Sequence, residues 1–242
     1  MNDPQISWLA PLYRTREFVE PLCERIGAVS AALGLRHEIV LVDDACPRRS
    51  ADEADRIASR HPLRVIRLER NGGQDAALHR GLGGCRGEWI VMIDADLQDP
   101  PEALQFLWAE AQSGFDVVFA DRHGRYEMRG RLLTSWVYRR IASLLGGLPP
   151  GAGLFVLLNR RTCQTIAAAP MGGSLLAAIA CVPARRSSVR VLRDARGSGE
   201  SAYRGIDRAR KAARTLIQLS LARLGAIRLA SIRHRSNKSS TA

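Results

Sequence analysis

The chain of 242 residues lacks several features that mark common classes of protein. It contains no run of about 18 apolar residues, so we expect no membrane-spanning helix. The segment Met1–Pro4 has neither the basic start nor the apolar stretch of a signal peptide, and we expect none. The five scattered cysteines show no C-x-x-C spacing, which predicts reduced thiols in a cytosolic protein. No G-x-G-x-x-G follows the first predicted strand, which disfavours a dinucleotide-dependent oxidoreductase.

The two halves of the chain differ in charge. Residues 1–120 carry 13 Arg against 19 Asp and Glu, whereas residues 121–242 carry 23 Arg and Lys against 5 Asp and Glu. This asymmetry indicates an anionic partner for the second half, which could be nucleic acid, lipid headgroups or a phosphorylated substrate. We expect no nucleic acid, because aromatic residues make up only 5% of the chain and no nucleic-acid-binding motif is present.

Strand-like and helix-like segments alternate with short connections in the first half of the chain. This pattern predicts an α/β fold with a mostly parallel sheet and helices on both faces. The predicted strands are 6–12, 37–42, 64–68, 88–93 and 115–120, and the predicted helices are 17–33, 51–59 (capped by Ser50), 74–85 and 101–112. Farther on we predict a basic helix at 128–145, strands at 154–158, 180–183 and 188–192, a last helix from about 206, and a disordered end at 236–242.

An acidic segment follows the fourth predicted strand. The apolar run Trp89–Ile93 leads into Asp94 and Asp96, and Asp99-Pro100-Pro101 closes the segment. Side chains two residues apart on an extended strand point the same way, so Asp94 and Asp96 can converge on one hard cation. Open α/β sheets bind ligands at this edge, and Mg²⁺ or Mn²⁺ is often shared between carboxylates and substrate phosphates. An acidic surface turn is the alternative.

Three motifs occur in a familiar order along the first half of the chain. Asp43-Asp44 follows the second strand, Arg70-Asn71-Gly72-Gly73-Gln74 precedes a helix, and Asp94–Pro101 follows the fourth strand. Together they resemble the family 2 glycosyltransferases with the GT-A fold, in particular the branch of dolichol-phosphate mannose synthase and bacterial polyprenyl-phosphate glycosyltransferases. Gly199–Tyr203 is similar to the Gly-x-Ser-x-Tyr element of that branch. The resemblance implies a GT-A domain over 1–203, with a nucleotide-sugar half at 1–120 and an acceptor half at 121–203.

The resemblance also implies which residues contact the substrates. Asp94 and Asp96 would hold Mg²⁺ or Mn²⁺ against the diphosphate of a UDP- or GDP-sugar, and Asp43 would bind the base and ribose. The residues implied in catalysis are Asp94, Asp96, Arg122 and Arg125. The residues implied in donor binding are Pro11, Tyr13, Asp43, Asp44, Asn71, Gln74, Asp94, Gln98, Arg196, Ser201 and Tyr203. A plain turn or helix cap is the alternative for Asp43-Asp44 and for Asn71–Gln74.

The acceptor can be inferred from which charges the second half has and lacks. An inverting transferase acting on a hydroxyl needs a carboxylate base, whereas a phosphomonoester, with a second pKa of about 6, is already anionic. No acidic residue stands in Ala152–Phe155, and arginines occur at 122, 125, 129, 131, 193 and 196. This favours inverting transfer to a polyprenyl (undecaprenyl or dolichyl) phosphate. A saccharide or lipid hydroxyl acceptor stays open, as does a non-catalytic membrane-surface subunit, which the altered Leu12–Arg14 and Ala45–Arg48 segments suggest.

The last segment, 204–242, has the composition of a basic amphipathic tail. Cationic residues cluster between Arg204 and Arg214, and the apolar residues that follow are interrupted by Arg223 and Arg228. This pattern predicts an interfacial helix that binds anionic lipid, and hence a peripheral protein at the cytoplasmic face of the cell membrane. A helix packed on the domain or in a homo-oligomer interface is the alternative.

Overall fold

The computed structural model describes residues 3–123, 143–144, 146–149, 151–170, 173–193, 213 and 215–220. The strands in these ranges are β1 (Ile6–Leu12), β2 (His37–Asp43), β3 (Leu63–Arg67), β4 (Trp89–Met92), β5 (Val117–His123), β6 (Val156–Asn159) and β7 (Arg186–Leu192). The α-helices are α1 (Val19–Ala32), α2 (Ser50–Ile57), α3 (Gln74–Leu82), α4 (Leu104–Gln112), α5 (Arg160–Ala168) and α6 (Leu175–Cys181). Short 3₁₀ helices, Arg16–Phe18 and Pro101–Ala103, lead into α1 and α4.

These strands form one sheet in the order β3-β2-β1-β4-β6-β5-β7. Strand β6 runs antiparallel to both β4 and β5, and the remaining pairs are parallel. The prediction of a mostly parallel sheet is therefore confirmed. All strands except β6 end at the same side of the sheet, which we call the carboxyl edge, and begin at the opposite side, the amino edge.

Helices cover both faces of the sheet, as predicted. The period-2 alternation of β1 points Trp8 and Leu12 into one core with α1, α2 and α4, and Leu9 into a second core with α3, α5 and α6. Each fully buried side chain of this kind contributes about 1.5–3 kcal/mol through its removal from water. The two cores hold the sheet between them and leave its carboxyl edge for the loops.

Helix α3 packs directly on the sheet because Gly81 has no side chain. A Cβ atom at Gly81 would lie 2.3 Å from Leu9 Cδ1 and 2.7 Å from Val42 Cγ2. Real Cβ atoms essentially never make contacts this short, so a larger residue would displace the Leu9 and Val42 side chains or push α3 outward. The close approach matters for the site because α3 begins at Gln74, on the carboxyl edge.

Several sequence predictions of secondary structure were wrong. The segment 180–183 is not a strand but the end of α6 and the residues after it, and α5 was not predicted. Ser50 does not cap α2: it is the first residue of the helix, and its Oγ accepts a hydrogen bond from the Thr15 N–H at 3.2 Å. The strand predicted at 154–158 lies at 156–159. Residues 143, 144 and 146 are helical, but most of the predicted helix 128–145 lies outside the described residues.

The described part of the tail packs on the domain. Residues 213 and 215–220 are helical, and Leu219 is buried against Ala177 of α6. Gln218 Oε1 accepts a hydrogen bond from the Ser174 N–H at 2.7 Å, which ties the tail to the start of α6. Ile217 is exposed. Within the residues described, no helix has the length and apolar character needed to cross a membrane.

Candidate active site

The carboxyl edge brings together side chains from four parallel strands. Pro11 lies near the end of β1, Asp43 is the last residue of β2, Asp94 comes two residues after β4, and Arg122 lies near the end of β5. The sequence could predict this grouping, because parallel strands place their carboxyl ends at one edge of a sheet. The loops that follow these strands determine the geometry.

The Asp43-Asp44 pair shapes the loop after β2. Asp44 is buried, and its carboxylate accepts hydrogen bonds from the Gly72 N–H at 2.7 Å and the Gly73 N–H at 2.8 Å. Asp43 is half-buried, accepts from the Cys46 N–H at 3.0 Å, and has its pKa raised by burial. Asp44 thus holds the Asn71–Gln74 turn in place, and binding of the nucleotide by either carboxylate stays a prediction.

The Asn71–Gln74 turn connects this loop to the acidic segment. Asn71 Nδ2 donates to the Asp44 carbonyl oxygen at 3.3 Å. Gln74, the first residue of α3, donates from Nε2 to Asp94 Oδ1. The three sequence motifs therefore form one hydrogen-bonded series along the carboxyl edge, from Asp44 through the turn to Asp94.

The acidic segment is a turn and not the end of a strand. Strand β4 ends at Met92, two residues before Asp94. Leu97 adopts a left-handed conformation (φ +57°), and Asp96 Oδ1 accepts from the Gln98 N–H at 3.2 Å. The expectation that Asp94 and Asp96 align as on an extended strand is thus replaced by a tight turn that keeps both carboxylates partly exposed.

A buried charge cluster lies behind these two carboxylates. Asp99 has no exposed surface, and its Oδ2 lies 2.7 Å from Arg122 Nη2 while its Oδ1 lies 3.4 Å from Arg193 Nε. Arg122 Nη2 is also 3.8 Å from Asp94 Oδ2. Burial raises the pKa of Asp99 to about 6, against the opposing effect of Arg122 and with added repulsion from Asp94 and Asp96. The sequence pattern did not mark Asp99 as a site residue, although it lies inside the Asp94–Pro101 motif.

These residues can hold a divalent ion only if the substrate supplies the rest of its ligands. Among the described residues no three His, Cys, Asp or Glu side chains group as a complete metal site. Asp94 and Asp96 offer hard oxygen donors, and such pairs commonly bind Mg²⁺ or Mn²⁺ together with substrate phosphates. The two carboxylates therefore suit an ion that completes its coordination with the substrate.

The two segments that depart from the family pattern touch each other. The Arg14 N–H donates to Cys46 Sγ at 3.0 Å, and Cys46 Sγ lies 3.1 Å from Ser50 Oγ. Burial would raise the pKa of the Cys46 thiol, but the hydrogen bonds from Ser50 and the Arg14 backbone hold it below its usual value. The Arg14 guanidinium also lies over the Tyr13 ring, 5.4 Å from its centroid. The altered residues thus form their own connected structure beside Asp43.

The remaining predicted site residues lie outside the described residues. They are Arg125, Arg196, Ser201 and Tyr203. Their roles stay predictions, as does the division of the chain at residues 120 and 203.

Comparison with known proteins identifies the family. The sequence matches the model described as Glycosyl transferase family 2 over residues 7–166. The chain belongs to glycosyl transferase family 2. It is 36% identical over 145 residues to an undecaprenyl-phosphate 4-deoxy-4-formamido-L-arabinose transferase of Edwardsiella ictaluri, covering 59% of this chain and 42% of that protein. It is 35% identical over 140 residues to a dolichol-phosphate mannosyltransferase of Pyrococcus furiosus, covering 57% and 38%.

The chain thus matches about two fifths of the length of these curated relatives. Both relatives belong to the polyprenyl-phosphate branch, so the predicted resemblance to that branch is confirmed. The family match spans the three motifs that form the series along the carboxyl edge.

Solved structures confirm the GT-A fold of this family 2 domain. Glucosyl-3-phosphoglycerate synthase from Mycobacterium tuberculosis, in complex with Mn²⁺, UDP and phosphoglyceric acid, superposes with a TM-score of 0.64 at 18% identity, over 92% of this chain and 79% of that chain. A mannosyltransferase from Pyrobaculum calidifontis, in complex with GDP-Man and Mn²⁺, gives 0.61 at 19% identity, over 90% and 64%. At these identities the likeness concerns the fold.

Proposed function

We propose that this domain transfers a sugar, with inversion, from a UDP- or GDP-sugar to a polyprenyl phosphate in a reaction that requires Mg²⁺ or Mn²⁺. The observation that carries the proposal is the arrangement at the carboxyl edge: partly exposed Asp94 and Asp96 stand next to Arg122, which lies 3.8 Å from Asp94. The carboxylates proposed to bind the donor thus lie beside the arginine proposed to bind the acceptor. The names of the curated relatives support this class of reaction.

Different residues of this chain would bind different parts of the nucleotide-sugar donor. A bound divalent ion would neutralise the charge that develops on the departing nucleoside diphosphate. Asp94 and Asp96 would hold that ion, and the Gln74 amide, which donates to Asp94, would fix the orientation of the carboxylate. Asp43, at the end of β2, would bind the nucleoside. The sugar would pass through an oxocarbenium-like state as its anomeric bond breaks.

The surroundings of Arg122 favour an acceptor that is already charged. Gly153 faces this side chain: a Cβ atom at Gly153 would lie 4.0 Å from the Arg122 guanidinium. Residue 153 therefore adds no carboxylate beside Arg122 that could remove a proton from a hydroxyl. A phosphate acceptor needs no such base, and a guanidinium binds phosphate oxygens with two parallel hydrogen bonds.

We place the reaction at the cytoplasmic face of the membrane, because its acceptor is a lipid and because the tail 204–242 is basic and amphipathic. Leu219 and Gln218 pack on the domain. The exposed side chain of Ile217 in the same helical segment is available for contact with lipid.

The substitution Asp96→Asn tests the role of the acidic segment. We expect turnover to fall at least about 100-fold, while the fold is kept because the Asn amide oxygen can still accept the Gln98 N–H. The measurements are turnover, the unfolding temperature, and the stabilisation that Mn²⁺ and a UDP- or GDP-sugar confer together. Asp55→Asn, which changes an exposed carboxylate on α2, is the matched control. Full activity of the Asp96→Asn protein would exclude metal binding by this residue.

The acceptor is tested by the chemistry of the product. Incubation with labelled nucleotide sugar and polyprenyl phosphate should give an organic-extractable product that mild acid hydrolyses, because a glycosyl phosphate is acid-labile. Label in an acid-stable glycoside would favour a hydroxyl acceptor. Absence of both products, together with absence of metal-dependent binding of the nucleotide sugar, would favour the non-catalytic alternative.

A further inference from the structure

Asp99 is a buried acid between two arginines that come from other parts of the chain. Arg122 belongs to β5 and Arg193 directly follows β7, while Asp99 belongs to the loop after β4. Strands β5 and β7 are parallel neighbours, with Arg122 opposite Val191, and the Arg193 N–H donates to the His123 carbonyl oxygen at 2.9 Å. The sheet therefore brings both guanidinium groups to the carboxyl edge, where one carboxylate contacts both.

We propose that Asp99 is a positioning residue, which holds Arg122 and Arg193 together as a single site for the phosphate of the acceptor. The inference rests on the proposed function and assigns the substrate group that this part of the site binds. Asp99 itself touches neither the sugar nor the phosphate. It acts by keeping the two cations side by side.

The cluster of Asp99, Arg122 and Arg193 lacks internal hydrogen bonds. Neither Asp99 oxygen has a hydrogen-bond partner among the described residues, and the same is true of Arg122 Nε and Nη2 and of Arg193 Nε. The contacts are ion pairs without hydrogen-bond geometry. Buried polar groups are nearly always hydrogen-bonded, so these five atoms leave donors and acceptors beside the site that a bound substrate can satisfy.

The net charge of the cluster and the exposure of its two arginines suit the binding of a phosphate. One carboxylate between two guanidinium groups leaves a net positive charge, which suits a phosphomonoester of about −1.5 to −2. The side chains of Arg122 and Arg193 are 23% and 34% exposed, although Asp99 is fully buried. Each guanidinium has five N–H donors, of which Asp99 faces only one side. Both arginine side chains thus keep some surface in contact with solvent.

Asp99 also keeps the Arg122 guanidinium away from the Asp94 carboxylate. Arg122 lies between Asp99, at 2.7 Å, and Asp94, at 3.8 Å. Without Asp99 the guanidinium would move onto Asp94, because an unpaired buried cation seeks the nearest carboxylate. It would then compete with the divalent ion for Asp94 and leave Arg193 alone. Asp99 therefore keeps the cations of the acceptor site apart from the anions of the donor site.

The test compares Arg193→Ala with Arg190→Ala, which removes an exposed arginine three residues earlier on β7. We expect Arg193→Ala to raise the KM for polyprenyl phosphate at least tenfold and to leave binding of the nucleotide sugar with Mn²⁺ within twofold. Arg190→Ala should leave both within twofold. Asp99→Asn should raise the KM for the acceptor as Arg193→Ala does, although both arginines remain, and this result distinguishes a positioning residue from a bystander.

An unchanged acceptor KM in Arg193→Ala would overturn the inference, and so would an equal loss of donor and acceptor binding, which would assign the cluster to the diphosphate. If Asp99→Asn does not fold, the comparison of Arg193→Ala with Arg190→Ala decides alone. If the unmodified protein transfers sugar to no polyprenyl phosphate, the proposed function fails, and calorimetric titration with a short-chain prenyl monophosphate then decides. Binding lost in Arg193→Ala but kept in Arg190→Ala would support the phosphate site, and equal binding in both would overturn it.

Discussion

Both edges of the sheet bury carboxylates, and two of these, Glu38 and Asp99, are held in opposite ways. Glu38, at the amino edge, accepts hydrogen bonds from the Ser7 hydroxyl at 2.6 Å and from the Arg86 N–H and Nε. Burial alone would raise its pKa, but these hydrogen bonds outweigh burial and hold the pKa below its ordinary value. Asp99, at the carboxyl edge, has only ion pairs, and burial raises its pKa to about 6.

This difference separates a structural acid from a functional one. At the amino edge both carboxylate oxygens of Glu38 accept hydrogen bonds, and Asn159 caps α5 by accepting from the Thr162 N–H at 2.9 Å and also donates to Asp116 at 2.7 Å. Such a network stabilises the fold and needs no ligand. The carboxyl edge instead leaves charges without hydrogen bonds, as expected where a substrate is to supply the missing partners.

The largest expected effect on stability is at the amino edge. Glu38→Gln should lower the free energy of unfolding by about 2–3 kcal/mol, because it replaces a buried charged acceptor and turns an amide N–H₂ toward arginine donors. Denaturant unfolding measures the loss, and turnover of the folded protein should stay unchanged. Glu24→Gln, at an exposed position on α1, should change stability by less than about 0.5 kcal/mol. A loss of activity without loss of stability in Glu38→Gln would break the distinction between the edges.

The two acids should respond to pH with opposite signs. The pKa of Asp99 is raised in the folded state, so the stability linked to Asp99 is present at low pH and is lost as pH rises through about 6. The pKa of Glu38 is lowered, so its contribution is present at neutral pH and is lost as pH falls below about 4. The free energy of unfolding of Asp99→Asn, relative to that of the unmodified protein, should therefore rise by on the order of 2 kcal/mol between pH 4.5 and 7.5.

The measurement is denaturant unfolding of both variants and the unmodified protein at several pH values, because differences between proteins cancel the titration of all other groups. The free energy of unfolding of Glu38→Gln, relative to that of the unmodified protein, should instead fall as pH rises from about 3.5 to 7. The same sign for both acids would show that the hydrogen bonds to Glu38 do not determine its behaviour.

The smallest expected effect comes from the cap at the amino edge. Asn159→Ala should lower the free energy of unfolding by about 1 kcal/mol through the loss of the α5 cap, and should leave the KM for both substrates unchanged. Thermal unfolding and initial rates measure the two quantities. Thr165→Ala, whose hydroxyl bonds to the Arg161 carbonyl on the same helix, is the control. A change in KM would extend the functional region to the amino edge.

The sequence could predict the parallel part of the fold and the position of the motifs. The alternation of apolar strands and helices up to residue 120 predicts a mostly parallel sheet with helices on both faces. Asp43 and Asp94 follow strands and Asn71 precedes a helix, which places all three on the carboxyl edge. The family resemblance added the expectation that these residues act together. The structure then connected them through Asp44 and Gln74.

The sequence could not predict contacts that depend on the path of the later strands. A four-residue apolar run such as Val156–Asn159 has no direction of its own, so its antiparallel course was not visible. The short apolar segment of α6 suits strand or helix equally, which explains the wrong strand at 180–183. Arg193 meets Asp99 only because β7 pairs with β5, a contact between residues 94 positions apart.

The antiparallel β6 has a consequence for the space between the substrates. Because β6 begins where its neighbours end, the ends of β4 and β5 stand two strand spacings apart, about 10 Å. Gly151 (φ +75°), which precedes β6, lies so close to Asp121 that a side chain there would collide with it. The Arg122 side chain spans the interval and comes within 3.8 Å of Asp94. The reversed strand thus lets the donor carboxylate and the proposed phosphate-binding group approach each other from strands that are not neighbours.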